Sequence, residues 1–155
     1  MIDKEDFLKI IDLTPLVSID LIIKNSEDRY LLGKRSNRPA RGYWFVPGGR
    51  IMKNEKIGDA IRRISITELG VEISLSDAQL YGVYQHIYDD NCFSEKEINT
   101  HYVVLAYSTV IEEDFAVKMD AQHTLMEWWP KDQIIDSPEV HLNTKAYFLT
   151  NDNTY

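Results

Sequence analysis

The chain has 155 residues, 44% of them hydrophobic and 27% charged, a size and balance that suit one soluble globular domain with a core of its own. A formal net charge of -8 argues against a nucleic-acid backbone as partner, because phosphate tracking requires a basic stripe. It leaves room for a small anionic ligand, since a few arginines dominate the field at short range. The single cysteine, Cys92, excludes an internal disulfide and fits a reducing compartment. The opening "MIDKEDFLKI" is charged and lacks the apolar core of a secretory signal, and no stretch approaches the length of a membrane span. The expected location is therefore the cytoplasm, with no membrane and no nucleic-acid partner.

Residues 4 to 12 are compatible with a short helix stopped near Pro15. "LVSIDLIIK" (16–24) is apolar and β-branched and reads as a strand. "NSED" (25–28) is a turn, and "RYLLGKR" (29–35) a second strand, so the two form a hairpin. "SNRPARG" (36–42) is a loop, and "YWFVPGG" (43–49) a short strand running into a Gly-Gly corner. Residues 56 to 69 form a helix closed by Gly70, a residue suited to a helix C-terminus. "QLYGVYQHIY" (79–88), "HYVVLAYSTV" (101–110) and "TLMEWWP" (124–130) are strands, the first two separated by a polar, acidic loop. A last helix is expected over about 138–150. Strands and helices alternate without a βαβ series, which predicts an α/β fold with a mixed sheet between helices.

The chemistry concentrates between Gly48 and Val71. Gly49, Glu55, Arg63, Glu68, Gly70 and Val71 stand at the spacing of the Nudix hydrolase box, which this segment resembles. The two other glutamates of that box are Ile64 and Thr67 here, and Ser65 stands where the box has an apolar residue. Positions 64, 67 and 68 lie within one helical turn, so three carboxylates there would gather several divalent cations through oxygen ligands. With Glu68 alone, one cation at most is expected. Glu68 also shares a helical face with Ile57, Ile61 and Ile64, and a carboxylate in an apolar stripe needs a partner or water. A helix-end glutamate that reaches water, or one paired with Arg63, is the alternative to a metal ligand.

Beyond the box, "TPLVSIDLIIKN", "LLGKRSNRPARGYWFVPGGR", "YGVYQHIYDDN", "THYVVLAY" and the pair Gln122-His123 are similar to a Nudix subgroup, the GDP-mannose mannosyl hydrolases. That subgroup also lacks the two glutamates. The resemblance runs over nearly the whole chain. It implies a Nudix fold and Mg²⁺-dependent hydrolysis of GDP-mannose, with GDP-glucose a second substrate. Water attacks the anomeric carbon with inversion, and the products are GDP and free sugar. It implies one Mg²⁺ per site, with Mn²⁺ a possible substitute, held by the Gly49 carbonyl, Glu68 and Gln122, and it implies a homodimer.

The same resemblance suggests His123 as general base, a role that suits an imidazole titrating near neutrality. It places His86 near the sugar or the leaving group. Asp20 sits in an apolar strand on the face opposite Ile19 and Leu21, where it would hold a sugar hydroxyl or orient a catalytic group. Arg35, Arg50 and Arg63 are candidates for the diphosphate, since a guanidinium donates two bonds to phosphate oxygens. Arg63 could instead orient Glu68. Tyr102 resembles a family tyrosine that holds the diphosphate, and Phe7 would stack on the guanine, reaching over from a second subunit. The ordinary alternatives are a core aromatic for Tyr102 and Phe7, a surface imidazole for His123, and a strand-end hydrogen bond for His86. Arg41 and Arg62 are read as surface residues, and the Trp128-Trp129 pair as serving packing or a dimer surface. Two other functions stay open: a conventional diphosphatase yielding GMP and sugar phosphate, and a non-catalytic nucleotide-sugar sensor.

Overall fold

The backbone at the centre of the sheet is apolar on both faces because both faces are covered. The computed structural model describes residues 1–112 and 123–149, with backbone alone at 123 and 124. Strand β1 (Leu16–Asn25) runs through the middle and pairs in parallel with β6 (Thr100–Ile111) over ten residue pairs, from Leu16↔Tyr102 to Asn25↔Ile111. β6 pairs antiparallel with β5 (Gln79–Tyr88), which forms the sheet's far edge. On the other side, β1 turns into β2 (Arg29–Arg35), with Lys24 opposite Tyr30, as the hairpin reading expects. β2 then pairs with β7 (His123–Pro130), the register placing Arg35 opposite His123. Among the described residues the sheet is seven-stranded and mixed, and helices flank it.

Two apolar clusters lie against its two faces. One gathers Ile19, Leu21, Ile23 and Leu31 with Ala60, Ile61, Ile64 and Leu69 of helix α2 (Ile57–Leu69). The other gathers Ile22, Leu32, Trp44, Tyr84 and Val104 with Ile134, Val140, Tyr147 and Phe148 of the C-terminal region. Alternation along β1 therefore sends Ile19, Leu21 and Ile23 to the α2 side, and Asp20 with Ile22 to the other, as the spacing predicts. α2 ends at Gly70 in the left-handed conformation, φ 71°, whose N–H bonds the Ile66 carbonyl. Ser65 is fully buried. Its hydroxyl accepts the Ile73 N–H at 2.9 Å and donates to the Arg62 carbonyl at 3.0 Å, tying the helix end to the chain that follows. Helix α1 (Lys4–Leu13) is capped by Asp3, whose carboxylate accepts the Asp6 N–H at 2.9 Å, and it stops before Pro15.

Two expected elements differ. The single strand over 43–49 is two short strands, β3 (Trp44–Phe45) on β2 and β4 (Gly48–Arg50) on β1. Pro47 lies between them, and a residue with no N–H cannot continue a ladder; its carbonyl instead accepts the Leu21 N–H at 2.8 Å. The helix expected over about 138–150 is absent among the described residues of that span. In its place are the short α4 (Leu142–Lys145) and turns running to Leu149, with α3 (Lys131–Asp136) ahead of Pro138, and residue 150 lies outside the described residues. Pro138 favours extended backbone before it, and the chain then docks beside β3. Trp44 N–H bonds the Glu139 carbonyl at 2.9 Å, and His141 N–H bonds the Trp44 carbonyl at 3.2 Å. Trp129 packs on Trp44 and Trp128 against the α2-side cluster, so both tryptophans serve packing. No described helix is long and apolar enough to cross a membrane.

β4 faces β1 with Gly48 opposite Asp20 and Gly49 opposite Ile19. A Cβ on Gly48 would stand 2.4 Å from the Asp20 Oδ1 and 2.6 Å from the Ile19 carbonyl oxygen. The second atom is backbone and cannot step aside. Gly48→Ala is expected to lower unfolding free energy by about 1–3 kcal/mol through overpacking, measured by denaturant titration. A stability equal to wild type would show that this approach is looser than drawn.

Candidate active site

A cleft of about 390 Å³ opens between α1, the strand ends of β1, β2 and β4, the cleft-facing side of α2, and β5 with β6. Its walls include Phe7, Asp20, Arg35, Gly49, Arg50, Arg63, Glu68, His86 and Tyr102, which are every candidate site residue whose side chain is described. Gln122 lies outside the described residues, and of His123 only the backbone is described, opposite Arg35.

The glycine corner and α2 meet at one wall. A Cβ built on Gly49 would lie 3.0 Å from the Ile64 side chain, so β4 lies directly over the helix at the box. Ile64 and Thr67, which replace two box glutamates, both line the cleft, so this wall is apolar and hydroxylic where the usual box is acidic. Glu68 is 4% exposed, which rules out the reading of a helix-end glutamate reaching bulk water. Ile57, expected on the same buried stripe, is exposed at the first turn instead.

Arg63 is committed to the loop before α2. Its Nε donates to Glu55 Oε1 at 2.7 Å, and its Nη2 donates to Glu55 Oε2 at 3.0 Å and to the Arg50 carbonyl at 2.8 Å. Glu55 in turn accepts the Met52 N–H at 2.9 Å. The Arg63 hydrogen bond is the main reason the Glu55 carboxyl lies below the usual carboxylate range. These bonds fasten residues 50 to 55 and set the backbone of Arg50. Arg63 therefore clamps the loop and also lines the cleft. Arg62 sits outside, against Asp59 and Glu72, and Arg41 is exposed, as the sequence reading has them.

Arg35 ends β2, and its Nε donates to the Pro39 carbonyl at 3.0 Å while the guanidinium lies over the Phe45 ring. Arg50 lies over the ring of Phe7, 4.8 Å from its centroid. Phe7 comes from the same chain and meets Phe93 edge-on at 5.9 Å. Within the one chain it lines the cleft. Lys4 joins this corner through Glu95 at 3.0 Å. Tyr102 is half-buried, directly across the β5–β6 ladder from His86, so the two share a face.

Behind the floor of the cleft lies a group that sequence reasoning missed. The Tyr147 hydroxyl bonds Asp20 Oδ2 at 2.5 Å and lies 3.2 Å from His86 Nε2. Desolvation pushes the Asp20 carboxyl up from 3.8 to about 6, against the opposing effects of the Tyr147 hydrogen bond and the Arg35 charge. Burial, with a smaller effect from His141, holds the His86 imidazole down at about 4, so it is neutral at ordinary pH. Burial, then the charge of Asp20, raises the Tyr147 phenol well above its usual range. Tyr147 stands 127 residues from Asp20, at the end of a segment expected to be plain helix, and no local spacing announces it. Tyr88, also in the cleft wall, stands two residues beyond His86 on the same strand face, a period-2 signal that was readable.

Among the described residues, no three His, Cys, Asp or Glu side chains gather as a ready-made metal cluster. One buried carboxylate beside a backbone glycine fits a single hard cation completed by substrate oxygens and does not fit a multi-metal box. The Nudix domain matches residues 14–151 of the chain. The low-salt glycan biosynthesis protein Agl8 of Haloferax volcanii is 37% identical over 126 residues, covering 81% of this chain and 78% of that protein. The MutT Nudix hydrolase of Burkholderia pseudomallei superposes with a TM-score of 0.69 at 26% identity, covering 87% of this chain and 96% of its own. The MutT protein of Methanosarcina mazei Go1 shares the fold with a TM-score of 0.70 at 19% identity, covering 86% and 91%. With the box wall, the cleft and the domain match in agreement over most of its length, the chain belongs to the Nudix hydrolase family.

Proposed function

We propose that this Nudix hydrolase cleaves GDP-mannose, and GDP-glucose, to GDP and free sugar, with water attacking the anomeric carbon and inverting it. The observation that carries this reading is the box wall. Ile64 and Thr67 line the cleft in place of two carboxylates, leaving Glu68 as the buried acid there. Attack at phosphorus by a metal-activated water draws on a cluster of carboxylates and more than one cation. Attack at carbon needs a stabilised leaving group and a base on the far side of the sugar. The likeness to a glycan biosynthesis protein agrees with a sugar nucleotide as substrate.

In this reading the Gly49 carbonyl, Glu68 and Gln122 hold one Mg²⁺, or Mn²⁺ in its place. Bound there, the cation supplies charge that stabilises the departing diphosphate. Arg35 and Arg50 bind diphosphate oxygens, Arg50 being held in place by the Arg63–Glu55 clamp. Tyr102 adds a hydroxyl, and Phe7 presents its ring to the guanine. His123 takes the proton from the attacking water. Asp20 and His86, on the cleft floor, receive the sugar hydroxyls. The protein works as a homodimer with one such site per chain.

Hydrolysis of GDP-mannose in ¹⁸O-labelled water, with Mg²⁺ present, is expected to put the label in mannose and none in phosphate. Label in GMP or sugar phosphate would assign the chain to the conventional diphosphatases. Absence of turnover by folded protein that binds GDP-sugars would make it a sensor. His123→Gln is expected to lower kcat about 10²–10⁴-fold and to erase the acid limb of the pH–rate profile, while GDP binding persists. A wild-type acid limb in that variant removes His123 from the base role.

Asp20 makes a separate stability prediction. Its pKa is raised on folding, so its contribution is full below about pH 4 and is lost as pH rises through about 6. Asp20→Asn is therefore expected to raise the midpoint of urea unfolding at pH 7.5 while depressing turnover, with the stability gain fading below pH 4. A variant less stable than wild type at pH 7.5 would show that the ionised carboxyl is well accommodated.

A further inference from the structure

We propose that Tyr147 is a positioning residue, whose hydroxyl fixes the Asp20 carboxylate and the His86 imidazole as one hydrogen-bonded unit on the cleft floor and sets the tautomer of His86. The argument begins with counting protons. A phenol has one proton to donate. At 2.5 Å from Asp20 Oδ2, the Tyr147 hydroxyl donates it to the carboxylate, which has none to give. The phenolic oxygen then faces His86 Nε2 as an acceptor, at 3.2 Å, and Nε2 must carry hydrogen. A neutral imidazole with hydrogen on Nε2 has its lone pair on Nδ1. The ring therefore enters the site as a hydrogen-bond acceptor at Nδ1.

The anchoring of Tyr147 is independent of this network. Its ring is 1% exposed and packs edge-on against Tyr84 at 4.7 Å, and its backbone carbonyl accepts the Tyr81 hydroxyl. The hydroxyl is thus delivered by the core, from the opposite end of the chain, to two groups on different strands. Asp20 has little room to swing, because its other oxygen lies against Gly48. Taking away the phenol oxygen frees the carboxylate and the imidazole to rotate separately, while the ring keeps its packing.

The assignment rests on the proposed role of Asp20 and His86 toward the sugar, but its test does not depend on which bond is cut. Tyr147→Phe is expected to lower kcat by about 10- to 100-fold, the factor for one hydrogen bond to a charged group, with KM for GDP-mannose changed less than threefold. Tyr81→Phe, which removes a bond to the same residue's backbone, is the control and should keep wild-type kcat. ¹⁵N NMR of labelled histidine should show His86 protonated at Nε2 in the wild-type protein and a mixed tautomer in Tyr147→Phe. Equal losses in both variants would reduce Tyr147 to a packing residue. A wild-type ring protonated at Nδ1 would overturn the proposal outright. If GDP-mannose is not turned over but the NMR result holds, the substrate reading fails and the hydrogen-bonded unit stands.

Discussion

A carboxylate set in the middle of a covered sheet has to be hydrogen-bonded, and this requirement organises the molecule around Asp20. The strand that carries it is apolar on either side, paired in parallel with β6 and overlain by β4. Asp20 is half-buried at the edge of the cleft, and the desolvation it suffers there is what raises the acid's pKa. The partner arrives from residue 147, through a C-terminal region that folds back over the same face as Ile22. The Asp20–Tyr147 bond thus joins β1 to the C-terminal region behind the cleft. Gly48 is the complement on the other side, a position where the strand approach leaves no space for a side chain.

The box segment is a second device, mechanically distinct from the first. Arg63 and Glu55 lock the loop that leads into α2, and in doing so they place the Arg50 backbone. Arg50 is then free to set its guanidinium over Phe7 at the cleft rim. The clamp is a bidentate pair whose carboxylate is largely shielded, a geometry that resists solvent competition better than an exposed ion pair. The cleft-facing surface of α2 carries Glu68, with Ile64 and Thr67 beside it. One helix thereby combines a structural arginine, an apolar seat for the glycine corner and one buried acid.

Much of this was readable from the sequence because it is local. The β1–β2 hairpin, the helix over 56–69 with its Gly70 stop, and the opposite-face placement of Asp20 follow from turn residues and periods of 2 and 3.6. The cleft residues Arg35, Gly49, Arg50 and Glu68 were legible through the box and its flanks. What was not legible depends on the tertiary fold. The split of 43–49 into two strands needs the knowledge that β1 and β2 both compete for that segment. The break in the last helix comes from Glu139, Val140 and His141 docking on Trp44, a contact that no periodicity encodes. The bond of Arg63 to Glu55, eight positions away across a loop, is likewise a contact that no periodicity announces. Tyr147 fell unremarked inside the last expected helix; its ring belongs to the core, and its oxygen bonds Asp20 and His86 from residues far away in sequence.

Ile64 bears on how such a site could have diverged. Its side chain is 2% exposed, seats Gly49 and belongs to the apolar cluster beneath β1. Restoring an acid at this position by itself would push a charge into that packing before any extra cation was present to neutralise it. Ile64 is thus shared by strand, helix and cleft, and an exchange at this one position alters the seat of the glycine corner and the lining of the cavity together.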